Sequence, residues 1–180
     1  MARKIITNIS TRQLDQTIDE LHQYAQRLSD RCEQFVNELA DIGITTAKYY
    51  LVNIINDTNG EMISYGDKVS FTKEVTFDTE SATAIIIPES HPYISVWATG
   101  SAVVDPLLMA EFGSGMFAID GHRGSFPDQK HAFDPNGWFW RDLSGKLHHS
   151  NGIEPQRPLF KAKEEMMQQI HEVAIRVFEL

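Results

Sequence analysis

The sequence predicts an α+β domain: a mostly antiparallel β-sheet packed with a long N-terminal helix and a C-terminal helix, plus a long loop and a small aromatic hairpin. Three observations carry that expectation. Apolar residues at Leu14, Ile18, Leu21, Ala25, Leu28, Cys32, Phe35, Leu39 and Ile42 recur alternately four and three positions apart. A period of about 3.5 held this long belongs to a helix seated on another helix, a sheet or a second subunit. Val69, Phe71, Val75 and Phe77 alternate with polar neighbours, as in a half-buried strand. A second helical stripe, Leu159, Ala162, Met166, Ile170, Val173 and Val177, closes the chain.

Taken in order, Lys4 to Ile9 reads as an edge strand or an arm. Ser10 offers an N-cap and Gln13 completes a capping box, so the helical region is set at residues 10–55. The striped part would be about 45–50 Å long. Gly43 is expected to end or kink it, with Ile44 to Val52 as a further helical piece. Asn56 to Gly60 is turn chemistry. The sheet region, residues 67–112, holds strands at Val69–Phe77, Ala82–Ile87, Tyr93–Ala98 and Leu107–Phe112, and short connections favour an antiparallel meander. Lys73 interrupts the apolar face of the first. Gly113 and Gly115 around Ser114 mark a strand end where the backbone takes angles that side chains resist. Residues 116–137 lack any sustained period and form a long loop, expected to be mobile in an isolated subunit and ordered on assembly. A hairpin at 138–150 bears Trp138, Phe139 and Trp140, and at least one of these rings must lie outside the local core. Pro158 starts the C-terminal helix, 158–178.

At 180 residues, 42% of them hydrophobic, the chain buries one core, which makes residues 1–180 a single domain. A formal charge of −9 argues against a protein that grips nucleic acid by neutralising phosphates. Cys32 has no partner for an internal disulfide and lies on the helical stripe, which fits a reducing compartment. No apolar run approaches a membrane span and no signal-peptide pattern opens the sequence, so a cytoplasmic location and no membrane partner are expected.

Three segments carry a resemblance. Ala110-Glu111-Phe112-Gly113-Ser114-Gly115, Gly137-Trp138 with the following hairpin, and Asn151 to Phe160 leading into the last helix occur in the order seen in the head-tail joining, or tail-completion, proteins of long-tailed bacteriophages and prophages, often labelled minor capsid or neck proteins. The chain resembles that family over nearly its whole length, with Ser114 where the family usually shows threonine and a rather long 116–137 loop. The resemblance implies a structural protein without enzymatic activity or cofactor. It implies a homo-oligomeric ring, commonly a hexamer, that joins the head connector to the tail tube in the virion after assembly in the host cytoplasm. DNA passes nearby without specific binding. Assembly candidates are Glu111, Phe112, Gly113, Ser114, Gly115, Trp138, Trp140, Arg157 and Pro158.

Hidden chemistry finds little support in the residues. His122, His131, His148 and His149 lie near Glu111, Asp128 and Asp134 in sequence, but no ligand spacing of a known metal site is present, so no metal is expected. The alternative reading is a small metal-dependent hydrolase built on that histidine- and carboxylate-rich loop. Ser114 lacks the preceding glycine of a nucleophile elbow, since position 112 is Phe.

Overall fold

The computed structural model describes residues 10–52, 54–55, 62–78, 81–98, 100–118 and 136–179. The architecture is α+β, with a long N-terminal helix, a C-terminal helix and antiparallel strands. Helix α1 spans Thr11–Val52, 42 residues, or about 63 Å. Its start is the expected capping box: the Gln13 amide donates to Ser10 Oγ at 3.3 Å and the Ser10 amide to Gln13 Oε1 at 3.1 Å.

Gly43 neither ends nor kinks α1, contrary to expectation. The reason is close packing. A Cβ at position 43 would lie 2.6 Å from Met166 Sδ and 3.1 Å from Ile86 Cδ1, so a second helix and a strand both press on this point. Ala40 and Ala47, a turn to either side, are buried as well. Burial of this seam offsets the roughly 1 kcal/mol that glycine costs inside a helix.

Four two-stranded antiparallel ribbons follow among the described residues: β1 (Ile54–Ile55) with β2 (Met62–Ile63), β3 (Val69–Phe77) with β4 (Ala82–Ser90), β5 (Tyr93–Trp97) with β6 (Gly100–Val104), and β7 (Trp138–Arg141) with β8 (Leu147–Ser150). They replace the single meander the short connections favoured. In β3–β4, Thr72 lies opposite Ile87 and Val75 opposite Ala84, and the ribbon packs on α1. Lys73 does not spoil the apolar face of β3, because its Nζ reaches the Asp41 carboxylate on α1.

The expected strand at Leu107–Phe112 is a helix, α2 (Pro106–Phe112), so the strands of the 67–112 region end at Val104 rather than at residue 112. Asp105 decides this locally. Its side chain accepts from the Leu107 and Leu108 amides, and Pro106 occupies the first turn, where a missing N–H does no harm. The main core, Leu51, Ile54, Tyr65, Val69, Met109 and Ala110, is closed by Phe71, Val104, Leu107, Leu108, Phe112 and Ile153.

Helix α3 (Pro158–Phe178) matches the expected bounds and runs antiparallel to α1. Lys161 Nζ sits 3.8 Å over the Tyr50 ring at one end. At the other, the Phe35 and Phe178 rings are 5.9 Å apart and Arg176 bonds Glu38 at 2.6 Å. Beyond this point α1 lies open among the described residues: every described side chain from Arg12 to Leu28 is exposed. Residues 4–9 and 56–60 and most of the expected loop lie outside the described residues.

Candidate functional site

The segment after α2 is shaped by glycine. Gly113, at φ 70°, caps α2 with its amide on the Met109 carbonyl at 3.0 Å. A Cβ there would lie 2.7 Å from both the Ile153 carbonyl oxygen and Pro155 Cδ. Ser114, 2% exposed, then pairs with Ile153 through both partners: its amide donates to the Ile153 carbonyl at 2.9 Å, and its Oγ accepts from the Ile153 amide at 3.0 Å. Next to that pair the two stretches of chain approach backbone to backbone. A Cβ on Gly115 would collide with the Asn151 carbonyl and one on Gly152 with the Ser114 carbonyl. Through its amide and its side-chain oxygen Ser114 thus clamps residues 113–115 against Ile153.

Glu111 and the start of α3 complete the junction. Arg157 precedes α3 with φ 54° and ψ 52° and gives the helix no side-chain cap. Glu111 takes that part from across the junction: its carboxylate accepts from the Leu159 amide at 2.8 Å and the Phe160 amide at 3.3 Å. A negative charge is favourable at this end, where unpaired N–H groups carry the positive pole of the helix. The Ala110 carbonyl accepts from the Gln156 and Arg157 amides at 2.9 and 3.0 Å. The Arg157 guanidinium lies 3.9 Å over the Phe160 ring, and Pro158 is fully buried. Thus Glu111, Gly113, Ser114 and Gly115, together with Arg157 and Pro158, come together in one place. Phe112 faces the main core.

The aromatic hairpin stands beside this junction. Trp138 and Trp140 share its half-buried face, and the exposed ring is Phe139, 68% accessible, which pattern reading did not single out. Trp140 stacks on His148 directly opposite, centroids 4.5 Å apart and 17° between planes. His148 Nε2 donates to Asp142 Oδ2 at 2.9 Å. Asp142 Oδ1 accepts from the Ser144 hydroxyl and from the Ser144 and Lys146 amides. The Ser144 hydroxyl above all, then His148, hold the Asp142 carboxyl far below the usual carboxylate range. This arrangement closes the turn. Its sequence signal is Asp-Leu-Ser-Gly at 142–145, which fixes the register and sets Trp140 opposite His148.

Among the described residues no group of three His, Cys, Asp or Glu side chains is placed to hold a metal ion. His122, His131, Asp128 and Asp134, on which the hydrolase reading rests, lie outside the described residues. Nor is any described helix long and apolar enough to cross a membrane. The fold and junction define an α+β protein whose candidate residues hold one piece of backbone against another. No family model matches the chain, and no curated protein or solved structure matches it either.

Proposed function

We propose that the protein is a structural subunit of a phage neck, a tail-completion component that self-associates into a six-membered ring between the head connector and the tail tube. One observation carries the reading. Residues 110–115 and 151–160, two of the three segments that resemble that family, are well separated in sequence, yet they interlock in a single junction through Ser114, Ile153, Glu111 and the start of α3, and the third, the hairpin, runs directly into it. Shared motifs that fit one another make a stronger likeness than motifs that happen to occur in order. The junction also supports the β7–β8 ribbon, on which Phe139, Leu143 and Leu147 are 68, 79 and 52% exposed. Apolar side chains presented this way on a rigid ribbon suit docking. A closed ring requires two different surfaces per subunit, joined head to tail. The formal charge of −9 suits a wall past which DNA slides without being held.

Gold-labelled antibody against the chain, applied to tailed particles from lysates of the source cells, tests this directly. Label at the point where head meets tail is the expected result. Particles that carry no label there, or a purified protein that hydrolyses phosphoesters only with added divalent metal, would overturn the proposal.

A further inference from the structure

The sequence holds three Asn-Gly pairs, at 59–60, 136–137 and 151–152, the first of them outside the described residues. An asparagine followed by glycine is open to one covalent step, attack of the glycine nitrogen on the asparagine side-chain carbon, because no Cβ on the glycine hinders the approach. The two described pairs sit in similar backbone: Gly137 has φ 69° and Gly152 φ 108°, and both are buried. They differ in what surrounds the reacting groups. Asn136 is exposed, whereas Asn151 is half-buried. Each asparagine carbonyl accepts a hydrogen bond, that of Asn151 from the Met116 amide at 2.9 Å and that of Asn136 from His149 Nε2 at 3.1 Å. The glycine amides divide them further. That of Gly152 donates to Ser150 Oγ at 3.2 Å, while that of Gly137 has no acceptor among the described residues. Phe139, directly opposite His149 in the ribbon, packs on the imidazole with ring centroids 4.6 Å apart.

We infer that Asn136 is a site of spontaneous deamidation selected by the fold, with His149 as the group that promotes it. Loss of the Gly137 amide proton to hydroxide leaves negative charge shared between that nitrogen and the Asn136 carbonyl oxygen, and the imidazole N–H stabilises it there. The nitrogen then bonds to Asn136 Cγ, the side-chain nitrogen leaves as ammonia, and a cyclic imide remains. Water opens the ring at either carbonyl, giving aspartate or isoaspartate. One water enters and one ammonia departs overall, with no change of oxidation state. At Asn151 the same first step must break the bond from the Gly152 amide to Ser150. Opening to isoaspartate inserts a methylene group into the main chain just ahead of Gly137, where a Cβ would already collide with the Ser150 carbonyl. The modified chain therefore loses the Trp138–Ser150 end of the ribbon.

Peptide mapping of the full chain, kept in warm, mildly alkaline buffer and sampled over weeks, tests this. Trypsin places Asn136 in residues 131–141 and Asn151 in residues 147–161, so mass reads the two sites separately, and isoaspartyl methyltransferase labels the rearranged product. In the native protein Asn136 should convert roughly tenfold faster than Asn151, the order expected where a hydrogen bond holds only one of the two amide protons. In urea the two rates should come together, since both pairs then lie in open chain. His149→Phe keeps a ring against Phe139 and removes the donor; it should slow Asn136 about fivefold and leave Asn151 unchanged. Equal native rates, faster conversion at Asn151, or a native ratio that persists in urea overturns the inference. So does a folded His149→Phe protein that converts at the wild-type rate. Where that variant fails to fold, the native and urea comparison still decides. None of these readouts depends on ring formation, so the neck proposal stands or falls separately.

Discussion

Gly113 and Glu111 act on the same joint by different means, and their variants should fail by different amounts. At Gly113 both conformation and space forbid a side chain: φ is 70°, and Ile153 and Pro155 close the volume at 2.7 Å. Gly113→Val is expected to lose about 2–4 kcal/mol in urea denaturation and to assemble poorly. Glu111 contributes two hydrogen bonds to the amides that open α3. Glu111→Ala should lose about 1–2 kcal/mol, the range of a lost helix cap, and Glu111→Gln less, since one acceptor remains. Asp142 gives a dependence on pH. Its carboxyl titrates lower in the folded hairpin than in the unfolded chain, so its contribution is present above the unfolded value, near 4, and disappears as pH falls through the folded value. The Ser144 and Lys146 amide resonances should therefore hold steady from neutral pH down past 4 and move only in stronger acid. In Asp142→Asn those resonances should be displaced already at neutral pH and show no acid transition of their own.

Helices and strands differ in how plainly the sequence announces them, and the reason is length. The stripes of α1 and α3 repeat over many turns, so period alone identifies them, and the capping box and Pro158 fix two of their ends. Helix α2 has seven residues, and the apolar run at Leu107–Phe112 fits two turns of helix as readily as a buried strand. Asp105-Pro106 was the signal that separates the two. Gly43 misleads for the opposite reason: a residue that usually breaks helices is required here by what lies outside the helix. Gly43→Leu should accordingly destabilise the protein by about 1–3 kcal/mol despite the better helix former, because Met166 and Ile86 occupy the space. Adding Met166→Ala should return part of the loss, measured by thermal melting of both variants.

For the molecule as a whole, the fold class is legible from periodicity, whereas the junction is not. Ser114 meets Ile153 and Glu111 meets Leu159 across long stretches of chain, and no local pattern encodes such meetings. What pattern reading reached was the presence of two unusual segments; what it could not reach was that each completes the other. Phe139 shows the same limit, since alternation along β7 says that one ring faces outward but not which face is out. The proposed ring adds a prediction at this scale. With 25 acidic against 16 basic side chains, the wall of its channel should carry more Asp and Glu than Lys and Arg, which a reconstruction of the assembled neck would read.

Met116 and Asn136, on the two sides of residues 119–135, are both tethered to the stretch from His149 to Asn151. The Met116 amide is bonded to the Asn151 carbonyl at 2.9 Å, and the Asn136 carbonyl lies 3.1 Å from His149 Nε2. Doubling the length of chain between two such tethers costs only about 0.6 kcal/mol in closure entropy. A joint that fixes both ends in this way sets a closure cost that depends little on how much chain runs between them.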